Sequence, residues 1–75
     1  MGMRTMTDAE GREWDITVGR QSYGLALALF LPRDGGQALQ AALPVDNWVE
    51  AERYLAGLDE AGLGALLEAA EPHGL

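Results

Sequence analysis

The sequence predicts a small α+β fold, a β-meander of three or four antiparallel strands followed by two short helices packed on one face. Two observations predict this class. In the first half of the chain, apolar residues alternate with polar ones or form short runs between glycine- and proline-containing turns. In the second half, they recur at helical spacing behind residues that commonly cap helices. The 75 residues are expected to form one domain, with the meander over 1–43 and the helical part over 46–71.

The first two strands are expected on either side of a tight turn. Residues 3–7 predict a short edge strand, and residues 8–11 begin with aspartate and end with glycine, as tight turns often do. Residues 12–20 show the clearest alternation in the chain, which predicts a strand with one buried and one solvated face. The buried face of this strand is expected to carry Trp14, Ile16 and Val18.

The next two strands are expected to form a hairpin. The apolar run 25–31 lies between a glycine and a proline, and its shortness favours a strand over a buried helix. In the turn that follows, Asp34 and Gly35 are expected to supply positive φ angles. Residues 37–43 are compatible with a strand or a helix. Fewer than two helical turns fit before Pro44, which favours a strand paired with 25–31.

Two helices are predicted after the meander. Asn47 is followed three residues later by Glu50, the pattern of a capping box, and Gly57 is the expected C-cap of the first helix. Asp59 is expected to cap a second helix that runs to about Ala70. The residues expected to face the sheet are Trp48, Leu55, Leu63, Leu66 and Leu67.

The run 25–31 is apolar on both faces, and this leads to the main functional expectation. Its leucines, together with Trp14, Ile16 and Val18, are expected to face the helices. One layer of helices would leave the opposite, mostly small apolar face uncovered, and small residues allow another sheet to approach closely. We therefore expect a protein interface, in a homodimer or a hetero-complex, formed by Ala26, Ala28, Phe30, Ala38 and Ala42.

The composition limits the chemistry open to this chain. It contains no cysteine and no lysine, so thiolate zinc sites, cysteine nucleophiles and Schiff-base lysines are excluded. His73 is expected to be a solvated tail residue, and Ser22 has no neighbouring base. The carboxylates Glu10, Glu13 and Asp15 are expected on solvated surface. Dividing acid and base roles between two carboxylates requires burial, which is not expected there. No catalytic residue, metal or cofactor is therefore expected.

Acidic residues dominate the charge, which is −7 overall. Residues 45–75 hold seven carboxylates and a single arginine. Phosphate backbones and anionic lipids favour cationic surfaces, so neither a nucleic acid nor a membrane is an expected partner. The longest apolar run is too short to span a bilayer, and the opening residues lack the apolar core of a signal peptide. Together with the absence of cysteine, these features predict a cytoplasmic protein.

These observations predict a non-enzymatic protein–protein interaction module, self-associating or an accessory subunit of a bacterial assembly. Bacterial origin is suggested by the all-arginine cations and the abundance of alanine, glycine and leucine. The alternative is an acidic regulatory antagonist, antitoxin-like or a nucleic-acid mimic, acting through its acidic C-terminal helices. A third reading is a subunit that completes the active site of another chain. Binding that is lost at high salt favours the antagonist, because salt screens surface charges.

Overall fold

The computed structural model describes residues 4–20 and 26–73, and within them five strands form one antiparallel sheet in chain order. The strands are β1 (Arg4–Thr7), β2 (Glu13–Arg20), β3 (Ala26–Pro32), β4 (Leu39–Ala42) and β5 (Glu71–Pro72). Two helices, α1 (Trp48–Gly57) and α2 (Glu60–Ala69), separate β4 from β5 in the chain. Both helices pack against the same face of the sheet, which confirms the predicted α+β class.

The four predicted strands are present, with boundaries within two residues of those expected over the described part of the chain. The connection between β2 and β3, residues 21–25, lies outside the described residues. β5 is a strand that the sequence pattern does not predict. It pairs Leu39 with Pro72 and Gln40 with Glu71 across the edge of β4.

The expectation that His73 is a solvated tail residue is wrong. Its backbone N–H donates to the carbonyl oxygen of Ala38 at 2.8 Å, which extends the pairing of β5 with the chain around β4. Its imidazole Nδ1 lies 2.7 Å from Oε1 of Gln40, and the residue is half-buried. Pairing to a sheet edge, rather than burial of an apolar stripe, therefore fixes this end of the described chain.

The two described turns use glycine at the positions where the backbone demands it. Gly11 and Gly35 both have φ of 85°, in the left-handed region that side chains disfavour. Among the described residues no other type has a positive φ, so the expectation for Asp34 is wrong. The Asp34 carboxylate instead accepts a hydrogen bond from the backbone N–H of Gly36 at 3.0 Å, stabilising the turn from its side chain.

The helices cover the opposite face of β3 from the one predicted. In the β2–β3 register, Ile16 lies opposite Phe30 and Val18 opposite Ala28, so these four side chains share one face. The hydrophobic core on that face consists of Met6, Trp14, Ile16, Val18, Ala26, Ala28, Phe30, Ala41, Leu43, Ala51, Leu55 and Leu63. The prediction that the leucines of 25–31 face the helices is therefore wrong for Leu27, Leu29 and Leu31, whereas Leu25 lies outside the described residues.

Close packing explains why alanines rather than leucines lie under the helices. Ala28 of β3 and Ala51 of α1 are both fully buried, and small side chains at such positions let a helix lie close to a sheet. On the other face of the sheet, Leu29 fills the space above Gly19, where a Cβ atom would lie 2.7 Å from the leucine Cδ1. Leu27 is also buried, so part of the leucine face is covered within the chain.

Side-chain caps begin both helices as predicted. The Asn47 carboxamide oxygen accepts from the N–H of Glu50, and the Asp59 carboxylate accepts from the N–H of Gly62, each at 2.8 Å. The end of α1 differs by one residue from the prediction, because Gly57 is its last helical residue and Leu58 is the C-cap. α2 ends at Ala69, one residue before the predicted limit.

Ala28→Glu and Ala42→Glu provide a direct test of which face is covered. Ala28 is fully buried whereas Ala42 is exposed on the other face of the sheet. A domain of this length has a total stability of about 4–11 kcal/mol, and an unpaired buried charge costs about 4 kcal/mol or more. Ala28→Glu is expected to lower the free energy of unfolding by about 4 kcal/mol or more, and Ala42→Glu to change it by less than about 1 kcal/mol. Circular dichroism during urea unfolding measures both, and equal losses would contradict the assignment of faces.

Glycine-to-alanine changes in α2 are expected to have unequal effects. A Cβ at Gly64 would meet no atom within 4 Å, whereas a Cβ at Gly62 would lie 3.0 Å from Cδ2 of Leu58. Gly64→Ala should raise the free energy of unfolding by about 0.5–1 kcal/mol through helix propensity. Gly62→Ala should gain less, because Leu58 must move. Urea titration of the two variants measures the difference, and a larger gain at position 62 would show that the packing differs.

Candidate functional site

The predicted alanine interface is not a continuous surface. Ala26, Ala28 and Phe30 lie in the core beneath the helices and are buried within the chain. Ala42 is exposed on the opposite face of the sheet, and Ala38 is half-buried in the segment before β4. The sequence pattern identified correctly that Ala26, Ala28 and Phe30 share one face of a strand. It could not identify which face the helices cover, so the expectation of an uncovered face formed by these residues is wrong.

The most exposed large apolar side chains of the described residues lie at the start of α1. Trp48 is 45% exposed and the adjacent Val49 is 64% exposed. The expectation that Trp48 faces the sheet is wrong. The segment leading into α1 already supplies Leu43 and Val45 to the core, and the buried stripe of α1 is formed by residues further along the helix. A tryptophan and a valine thus lie side by side in solvent.

A groove of about 310 Å³ runs beside these two residues. Trp48 Nε1 donates to the Glu52 carboxylate one turn later, at 2.8 Å, which orients the indole along the helix. We define the α1 surface as the groove-lining residues that α1 and β1 present here, which are Arg4, Trp48, Val49, Glu52, Arg53 and Ala56. Leu55 lies at the bottom of the groove and belongs to the core.

Arg4 fixes the wall of this groove. One guanidinium nitrogen, Nη1, donates to the carbonyl oxygens of Leu55 and Leu58, each at 2.6 Å. These carbonyls lie at the end of α1, where backbone acceptors lack helical partners and the helix dipole favours a cation. The contact joins β1 to the end of the helix across more than fifty residues of sequence. Nothing in the local sequence pattern identifies Arg4 as a cap, because its partners are distant backbone atoms.

Charges of both signs meet on the α1 surface. Arg4 and Arg53 flank the groove, and Glu52 provides the carboxylate within it. The other acidic residues of the helical part lie elsewhere, with exposed side chains at Asp46, Glu50, Asp59, Glu60, Glu68 and Glu71. In a chain of net charge −7, the α1 surface is therefore a local region without an excess of negative charge.

The carboxylates considered for catalysis lie outside the core, and two of them pair with one arginine. Glu13 and Asp15 lie on the face of β2 away from the core and both contact Arg33, with N–O distances of 3.5 and 3.1 Å. Glu10 lies in the exposed turn between β1 and β2. Within residues 4–20 and 26–73, no group of three or more histidine, aspartate or glutamate side chains is placed to hold a metal ion. Of the helices in that part of the chain, neither is long and apolar enough to cross a membrane.

Asp8 organises the turn between β1 and β2. Its carboxylate accepts hydrogen bonds from Trp14 Nε1 at 3.0 Å and from the backbone N–H groups of Glu10 and Arg12 at 2.9 Å. The hydrogen bond from the Trp14 indole, followed by that from the Arg12 backbone, lowers the pKa of Asp8. The same contact satisfies the polar atom of a tryptophan whose ring lies in the core.

This network predicts a pH dependence of stability. Because folding lowers the pKa of Asp8, its contribution is fully present above the ordinary aspartate pKa of about 4 and is lost as pH falls through the folded value. Asp8→Asn should therefore be less stable than the wild type at about pH 7, and the difference should be smaller at about pH 3, below the ordinary aspartate pKa. Urea unfolding followed by tryptophan fluorescence measures the difference. A stability gap that is the same at both pH values would contradict the assigned role.

Comparison of this chain with known proteins transfers no function to it. No protein-family model, curated protein or solved structure gives a significant match. The α1 surface, with its exposed tryptophan, its groove and its charges of both signs, is therefore the feature from which a function can be inferred.

Proposed function

We propose that this protein is a non-enzymatic protein–protein interaction module that self-associates through the α1 surface. The observation that carries the proposal is the exposure of Trp48 and Val49 side by side, at 45% and 64%. Tryptophan and arginine are the residues most enriched among those that dominate binding energy at protein interfaces. The α1 surface combines Trp48 with Arg4 and Arg53 around one groove.

The charge distribution favours a second copy at this surface. Two chains of charge −7 repel each other, and the repulsion is greatest where the exposed carboxylates of the helices face one another. The α1 surface contains two arginines and one glutamate, so contact there avoids this cost. In a two-fold symmetric contact, each pair of contacting residues occurs twice, once in each direction. Arg53 of one copy can therefore pair with Glu52 of the other.

Self-association also suits the size of the chain. A domain of this length buries about 60–65% of the surface that its unfolded chain exposes, which limits the stability of its own core. Association adds stability because it favours the folded state by mass action. We also propose that the module works in the bacterial cytoplasm, because the absence of cysteine fits a reducing compartment.

Val49→Asp is the variant that tests the proposal most directly. Val49 is in the first turn of α1, where a carboxylate interacts favourably with the helix dipole, so the fold should persist. An unpaired charge at the centre of the contact should raise the dimer dissociation constant by at least about tenfold, equivalent to about 1.4 kcal/mol. Light scattering across a hundredfold concentration range measures the mass of wild type and variant.

Gln37→Glu is the matched control, because it adds the same charge at an exposed position outside the α1 surface. It should leave the dissociation constant within about twofold of wild type. A wild-type protein that stays monomeric over the whole range would contradict self-association. A dimer that Val49→Asp leaves intact would show that the contact lies on another face.

A further inference from the structure

A second cavity, which shares no residue with the α1 groove, lies between the β1–β2 turn and α2. Its volume is about 560 Å³, within the range of small-ligand and side-chain binding sites. We call it the turn–helix cleft. Its apolar lining includes Met6, Trp14, Leu39 and Leu67, and its carboxylates are Asp8, Glu10, Glu60 and Glu68. Arg12 is the one cation among the lining residues.

Small side chains of α2 keep this cleft open. Gly64 lies in the interior of the helix and lines the cleft, and a Cβ built there would meet no atom within 4 Å. Ala61, one turn earlier, lines the same side. Glycine is unfavourable within a helix, and here it leaves empty space above the apolar lining where a longer side chain would project.

The charges of the cleft favour a cationic ligand. Four carboxylates line it against one guanidinium, and that guanidinium, on Arg12, contacts Asp34 outside the cleft with an N–O distance of 3.4 Å. Within residues 4–20 and 26–73, no ion pair engages Glu10, Glu60 or Glu68. These three carboxylates can therefore pair with the cationic groups of a ligand.

An arginine of the chain itself already contacts the aromatic part of the lining. The guanidinium carbon of Arg12 lies 5.6 Å from the centre of the Trp14 ring, within the range of a cation–π contact. A guanidinium combines a planar face that stacks on aromatic rings with donors that match carboxylates in pairs. Its aliphatic stem can cover apolar surface such as that of Met6 and Leu67. Arginine therefore fits both the apolar lining and the acidic rim better than lysine.

We propose that the turn–helix cleft binds an arginine-bearing segment of a partner protein, with the arginine stem over the apolar lining and its guanidinium paired with Glu60 and Glu68. This site gives the acidic-antagonist alternative a defined location and ligand chemistry. The proposal does not depend on self-association through the α1 surface, because the two surfaces share no residues.

The experiment is a titration of the ¹⁵N-labelled full chain with the capped peptide acetyl-Arg-Leu-Arg-amide, followed by NMR. The indole N–H of Trp14 and the amide of Gly64 report on the cleft, and the indole N–H of Trp48 reports on the α1 surface. Saturable shifts are expected at the first two signals and not at the third. The citrulline analogue, which has the same shape without the charge, should bind at least about tenfold more weakly.

Charge-matched variants separate a specific site from general attraction to an acidic protein. Glu60→Gln combined with Glu68→Gln should weaken binding about tenfold, because exposed ion pairs each contribute up to about fivefold. Glu50→Gln combined with Glu71→Gln removes the same charge from exposed positions outside the cleft and should change affinity less than about twofold.

A third variant tests the cavity itself. Gly64→Leu fills the cleft while improving helix propensity, so it should raise the unfolding temperature and weaken peptide binding at least about tenfold. Loss of binding in a more stable protein cannot arise from unfolding. Equal weakening by the two charge-matched pairs, unchanged binding by Gly64→Leu, or equal binding of the citrulline peptide would each overturn the proposal. Failure of the Val49→Asp test, in contrast, would concern only the α1 surface.

Discussion

The register of β2 against β3 is the constraint on which the rest of this structure depends. Pairing Ile16 with Phe30 and Val18 with Ala28 puts the apolar side chains of β2 on the same face as Ala28 and Phe30 of β3. Trp14 then packs edge-to-face against Phe30, with ring centres 6.4 Å apart and planes at 87°. A shift of one residue would turn every side chain of β3 to the other face. The helices would then have leucines beneath them instead of alanines, and their distance from the sheet would have to increase.

The α1 surface results from which side chains fill the core and which remain outside it. The core accepts Ala51 and Leu55 from α1, and Leu43 comes from the segment before it. Trp48 remains outside, and Arg4 holds the other end of the helix through two backbone carbonyls. The groove between them has one wall from β1 and one from α1. Its shape is therefore set by contacts distant in sequence rather than by the helix alone.

Trp14 connects the core to the second surface. Its ring packs on Phe30, its indole nitrogen donates to Asp8, and the Arg12 guanidinium lies over its face. The turn between β1 and β2 is thus fixed against the core, and the side of the turn that faces α2 lines the cleft. The two surfaces differ in chemistry. The α1 surface is aromatic, with two arginines and one glutamate, whereas the cleft is acidic with four carboxylates and one arginine, so salt should weaken binding at the cleft more strongly.

The sequence by itself determined the local structure of this protein. Alternation over β2, the glycines of the two described turns, and the capping residues Asn47 and Asp59 act within a few residues of chain. The class of the fold and the order of its elements up to α2 could therefore be predicted from them. The composition also limited the available chemistry, since no cysteine or lysine is present. These features require no knowledge of which parts of the chain meet.

Only the tertiary structure decided which face of the sheet is buried and which side chains remain outside. β3 is apolar on both faces, and its pattern cannot distinguish them until β2 and the helices pack against it. Helical spacing placed Trp48 on the buried stripe, but the core was already filled at that end. The contacts of Arg4 and His73, and the position of Gly64 beside the β1–β2 turn, depend on atoms far away in sequence. The candidate surfaces could not be predicted from the sequence, because they are formed where distant segments of the chain meet.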